Sequence, residues 1–133
     1  MKAHLLRVVT ACGVVLSTAS PGLAHHFFPR ASDTPVSVVG TVVRFQMVNP
    51  HSRLLLDVRD ASGNVATWDI ELGSVQALMA RGWTRDSVRP GDVIAAEVIM
   101  WKGHAHAGSA RTVELPDGSR VFAGSHAGDY GRR

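Results

Sequence analysis

The chain has 133 residues, a formal net charge of +3 and seven histidines. That length holds one domain with one core, not two. The small positive charge and few aromatic residues argue against a surface built for nucleic acid, and the single cysteine excludes a disulfide within the chain.

The first segment, residues 1–24, reads as a secretory signal peptide. Lys2 and Arg7 form a positive head, residues 8–19 are mostly apolar and small, and Gly22 and Ala24 occupy the small-residue positions of a cleavage site. Cleavage after Ala24 makes His25 the first residue and removes Cys12. Lys2 and Arg7 leave with the peptide and no acid does, so the remainder is close to neutral. Val9-Thr10-Ala11-Cys12 has the look of a lipoprotein cleavage box. However, Arg7 lies close to it, and the apolar run continues through Val14, Val15 and Leu16. The run is also shorter than the ~20 residues of a spanning helix, which argues against a retained anchor or stable membrane insertion. The expected location is periplasmic or secreted.

Residues 25–35 (His25, His26, Phe27, Phe28, Pro29, then polar residues to Pro35) read as an irregular lead-in. From Val36 the residues are mostly β-branched or aromatic, which predicts a strand, with a bend or bulge at Gly40. Asn49-Pro50 ends it. A second strand is predicted over about 52–59, with Leu54, Leu56 and Val58 on one face and Arg53, Leu55, Asp57 and Arg59 on the other. Asp60-Ala61-Ser62-Gly63-Asn64 reads as a hairpin loop, leading to a third strand over about 65–72. Val75, Leu78 and Met79 then recur at helical spacing, with Ser74 as N-cap and Gly82 as the stop, predicting a helix of about two turns. After a polar turn containing Arg89-Pro90-Gly91-Asp92, a fourth strand covers about 93–101 and a loop 102–108. A fifth strand is expected over about 109–115. Pro116-Asp117-Gly118 turns the chain into a short strand near 119–122, and the Gly-rich tail 123–133 shows no periodicity.

The fold class is therefore all-β with one short helix, in the order β-β-β-α-β-β. A helix between the third and fourth strands is the arrangement of a small OB-fold-like barrel of five to six strands, here over residues 36–122. A plain β-sandwich has no need of that helix.

Several short motifs are similar to a known family. The signal followed by Ala-His-His, then Gly40-Thr41-Val42, Asn49-Pro50-His51, Gly82-Trp83-Thr84-Arg85, Pro90-Gly91-Asp92 and Leu115-Pro116-Asp117-Gly118, resemble the small exported bacterial proteins of the domain of unknown function 6152 family. The resemblance implies an exported, single-domain, mostly β protein. It carries over no catalytic residue.

Chemistry points to the histidines. His51 follows the first strand, and His104 and His106 lie in the loop after the fourth. In OB-folds these two loops flank the ligand face, so His51, His104 and His106 are candidate metal ligands, provided residues 104–106 are extended and present both rings to one side. His25 and His26 are a further arm: a free N-terminal histidine offers its amine and its ring nitrogen to one ion. Nitrogen-rich tetragonal sites suit Cu(II), and tetrahedral imidazole sites suit zinc. The blander readings stay open. Asn49-Pro50-His51 forms a simple turn with Asn49 bonding backbone, the loop histidines are solvated, His25 and His26 are a leader, and His126 is exposed in the tail.

Trp83 is expected to plug the barrel end. Trp68 and Trp101 sit in strands and read as either core or face; with Asn49 they are candidates for a ligand face, because aromatics on such barrels stack on flat ligands. Asp69, Glu71 and Glu97 read as solvated. No Ser–His–Asp spacing, phosphate loop or paired-metal carboxylate set is visible. The leading expectation is thus an exported, non-enzymatic binding or accessory domain. It would hold copper or zinc through loop histidines, or engage a protein partner in the envelope, and would not bind nucleic acid. The alternatives are a small copper-dependent redox enzyme built on His25, and an interaction module without metal.

Overall fold

The computed structural model describes residues 30–124. The predicted signal peptide, His25, His26, His126 and all but the first two residues of the predicted tail lie outside the described residues. Six strands and one helix follow in order: β1 (Val36–Gln46), β2 (Arg53–Arg59), β3 (Val65–Glu71), α1 (Val75–Met79), β4 (Val93–Met100), β5 (Ala107–Glu114) and β6 (Arg120–Phe122). The strands pair in the order β3-β2-β1-β4-β5-β6, and β3 also pairs with β5 in parallel. That last pairing closes five strands into a barrel, with β6 as an added edge, so the expected OB-like architecture is present.

β1 makes the closure possible. Its first half, Val36 to Thr41, pairs with β4, and its second half, Thr41 to Gln46, pairs with β2. Gly40 sits where the strand changes partner. A Cβ there would lie 2.8 Å from the Asp57 carbonyl oxygen, so glycine is needed for close approach. The bulge expected at Gly40 lies instead between Val42 and Arg44, where Val43 is the extra residue.

The turns follow their local chemistry. Asp60 Oδ1 accepts from the backbone N–H groups of Ser62 and Asn64 at 2.8 and 2.9 Å, and the Asn64 side chain, first among several hydrogen bonds, holds its carboxyl below the usual range. Ser74 caps α1, its hydroxyl accepting from Ala77 N–H at 3.2 Å. The helix has five residues, shorter than the two turns expected, because the chain turns away after Ala80 and reaches Gly82 at φ 86°. β5 starts at Ala107 rather than near 109, because its first residues pair with β3.

Alternate residues of each strand fill the barrel: Val38 and Val42 from β1, Leu54 and Leu56 from β2, Ile70 from β3, Ile94, Ala96 and Val98 from β4, and Ala110 and Val113 from β5. Leu72, Leu78 and Trp83 close one end, as expected for Trp83. It is 2% exposed, its ring lies 5.6 Å from that of Phe45, and its indole N–H donates to the Phe122 carbonyl at 3.0 Å. The opposite end is an open mouth, bordered by the start of β1 and the ends of β2 and β4. No described helix is long and apolar enough to cross a membrane.

Candidate functional site

The hairpin register sets which side chains meet on the outer face of β2 and β3. Leu54 stands opposite Ile70 and Leu56 opposite Trp68, and these point inward. The intervening pair, Arg53 opposite Glu71, therefore points outward, with Asp69 two residues along on the same side.

Arg53 ties this face together. Its Nε donates to Asp69 Oδ1 at 3.0 Å, its Nη2 pairs with Asp69 Oδ2, and its Nη1 lies 3.7 Å from Glu71 Oε2. The other oxygen of Glu71, Oε1, lies 3.3 Å from His51 Nδ1. Glu71 is largely shielded, with 15% of its side chain exposed. Burial raises the affinity of its carboxyl for a proton above the usual carboxylate range, and the charges of His51 and Arg53 offset part of that shift. On its far side the Arg53 guanidinium lies 5.7 Å from the Trp101 ring centroid, and the His104 ring meets Trp101 edge-on at 5.9 Å. A continuous strip of contacts thus runs His51, Glu71, Arg53, Trp101, His104.

The three loop histidines do not meet at one point. His51 lies at the Glu71 end of β3, beside the plugged end of the barrel. His106 lies at the other end, its ring 5.5 Å from that of Trp68. Three residues of strand, about 10 Å, separate Trp68 from Glu71. Residues 104–106 are not extended. His104 N–H bonds to the Trp101 carbonyl at 3.2 Å across a turn with Gly103 at φ 81°, so the two imidazoles are sent to different tryptophans. Among the described residues, no group of three or more His, Cys, Asp or Glu side chains is disposed around one ion position. A histidine does meet a carboxylate where His51 faces Glu71.

The other candidates have local structural partners. The Asn49 side chain accepts from the Val75 backbone N–H at 3.1 Å, bonding backbone as the turn reading expects. Trp101 is 6% exposed and donates to Ser109 Oγ at 2.9 Å. Trp68 is partly exposed and packs against the core at the open mouth. Arg53 and Ser109 are not among the candidates the sequence offers, and Asp69 and Glu71, expected to be solvated, are instead held by Arg53 and His51. The signal was the hairpin itself. Once Arg59 and Val65 flank the loop, Arg53 and Glu71 must face each other.

A model of a family of unknown function, DUF6152, matches residues 12–126. Comparisons with curated proteins and with solved structures give no match.

Proposed function

The chain belongs to DUF6152, a family of unknown function, and we propose that it is an exported, non-catalytic binding domain whose ligand is a divalent transition-metal ion, copper or zinc. The observation that carries this reading is the 3.3 Å separation of His51 Nδ1 and Glu71 Oε1. Two ligands at about 2.1 Å from a tetrahedral ion stand about 3.4 Å apart, so this pair has the spacing of adjacent ligands. Arg53 fixes the other Glu71 oxygen, as a supporting contact orients a metal ligand. Asp69 offsets the Arg53 charge.

Two ligands from the barrel set the position of the ion. In this reading His25 or His26 completes the set, the first through its α-amine as well as its ring. The ion displaces the protons of these groups, so affinity rises with pH. The test is titration of Zn(II) or Cu(II) into the protein beginning at His25. Binding at one equivalent that weakens at least tenfold in His51→Ala and in Glu71→Gln supports the site. Affinity unchanged in both variants removes it.

The strip from His51 to His104 favours a second reading. A polar, mixed-charge band centred on Arg53 and resting on the buried Trp101 suits a protein partner in the envelope. That reading requires no metal, and a partner's binding would then be weakened by Arg53→Ala and unaffected by chelator.

A further inference from the structure

The change of partner along β1 leaves one of its edges bare. Val36 to Thr41 pair with β4 on one side, and the pairing with β2 on the other side begins only at Thr41 with Asp57. Parity decides where the backbone groups of the bare stretch point. The Met100 carbonyl accepts from Ala31 on the β1 side of β4, whereas Trp101 N–H donates to Ala107 on the β5 side. Even-numbered residues of β4 stand opposite even-numbered residues of β1, Val38 with Ala96 and Gly40 with Ile94. Val38 and Gly40 therefore bond to β4, and the amide and carbonyl groups of Ser37 and Val39 point the other way. Among the described residues, no strand stands beside them on that side.

This edge borders a groove of about 450 Å³ lined by the apolar side chains of Val36, Val38, Val58, Trp68 and Met100, with Arg59 at the end of β2. Val36 and Val39 are 40% and 57% exposed. Exposed edges are commonly blunted by charge, proline or a bulge. The stretch Val36-Ser37-Val38-Val39-Gly40 carries none of these, the bulge lying further on at Val43. Arg59 Nη1 donates to the Gly63 carbonyl at 2.6 Å, and no carboxylate among the described residues pairs with this guanidinium. Main-chain donors and acceptors at strand spacing, an apolar lining and a guanidinium without an acid together describe an extended polypeptide as the occupant. A lipid tail would use the lining and leave Ser37 and Val39 unbonded. We propose that this edge takes up an extended segment of a partner protein by strand addition, with apolar side chains at alternate positions in the groove and a carboxylate on Arg59. About 10 Å of edge separates Val36 from Val39, room for roughly four residues of the partner. The site shares no residue with the His51–Glu71 pair or with the strip around Arg53.

The test uses the full protein and an array of capped hexapeptides that alternate apolar and polar residues, each with Asp, Asn or Lys at one end. Peptides with Asp are expected to bind, those with Asn or Lys at least tenfold more weakly, and Arg59→Gln should erase that preference. Methylating every second peptide amide should abolish binding in one phase and spare it in the other, because only alternate N–H groups bond to the edge. Val39→Pro removes an N–H that faces the groove and none that bonds to β4. It should weaken binding at least tenfold while circular dichroism stays that of wild type, and the methylated peptides decide the matter if that variant does not fold. In the free protein, amide exchange should be fast at Ser37 and Val39 and slow at Val38 and Gly40, and bound peptide should protect the first two. No binding by any peptide overturns the proposal, as does binding indifferent to amide methylation. Protection of Ser37 and Val39 without peptide overturns it too. If that protection grows with protein concentration, the edge belongs to a second copy; if it does not, to another segment of this chain.

Discussion

Trp101 donates its indole N–H to Ser109 Oγ at 2.9 Å, and the two residues are 6% and 5% exposed. Neither belongs to the barrel interior. They form, with Ile99, a small buried patch on the outer side of β4 and β5, where the chain before β1 crosses it: Arg30 bridges to Trp101 and Ala31 N–H bonds to the Met100 carbonyl at 2.9 Å. Trp101 in turn supports Arg53, so this patch is the floor of the contact strip. Ser109→Ala leaves a buried N–H without its acceptor and should cost about 1–3 kcal/mol in urea unfolding. Trp101→Phe combined with Ser109→Ala should cost less than the sum of the two single changes, since removing both partners leaves no orphan. Strict additivity would show that the bond carries no coupling.

Gly108→Ala should be among the most damaging single changes. The added Cβ would lie 2.4 Å from the Ile99 carbonyl oxygen, which is backbone in a paired strand and has no room to retreat. Loss of roughly 3 kcal/mol or more is expected, with the β3–β5 closure the first contact to suffer. Amide hydrogen exchange would report it at Asp69, whose N–H bonds to the His106 carbonyl at 2.9 Å. Gly63→Ala tests a different cost, since its Cβ meets nothing within 4 Å but the backbone stands at φ 88°. Strain of about 1 kcal/mol is expected there.

The pH dependence of stability should carry a mark of Glu71. Burial raises its carboxyl pKa above the ordinary carboxylate value in the folded protein. The folded state then binds that proton more tightly than the unfolded state does. The contribution favours folding at low pH and is lost as pH rises from the ordinary carboxylate value through the raised one. Glu71→Gln has no such proton. The stability of wild type relative to Glu71→Gln should therefore fall as pH rises through and above the ordinary carboxylate range and then level off. A difference that stays flat or rises across that window would contradict the assignment.

Asn49→Ala should destabilise the start of α1 by about 1 kcal/mol, because the Asn49 side chain is the acceptor for the Val75 N–H. Asn49→Asp keeps the acceptor and should recover most of the loss. Thermal unfolding of the pair separates this structural role from a ligand-binding one. Metal affinity in Asn49→Asp should match wild type.

Much of the barrel was legible because its elements depend on local signals. Period-two alternation identified β2 to β4, the Asp60–Asn64 sequence identified the hairpin, and Ser74 marked the helix start. A helix between the third and fourth strands then pointed to the barrel. The site was harder to read, because it depends on where loops go. His104 and His106 are two residues apart, a spacing that places rings together on an extended chain. The turn at Gly103 divides them between Trp101 and Trp68 instead. Trp101, at the end of an alternating strand, reads from the sequence as either core or ligand face. It is buried because it packs across the outer side of β5 onto Ser109, a long-range contact without local periodicity. Asp69 and Glu71 read as solvated because each is an acid on an outward face. Only their pairing with Arg53 and His51 across the hairpin gives them partners.

The most direct test of the central claim is native mass spectrometry of the protein purified from periplasm without an affinity tag, as wild type and as His51→Ala. One spectrum gives both the mature N-terminus and any retained ion. The account predicts a wild-type mass that begins at His25 and carries copper or zinc, with the ion bound by His51 and Glu71 missing from His51→Ala. An apo mass that stoichiometric metal leaves unchanged, or an identical metal content in both proteins, would contradict it.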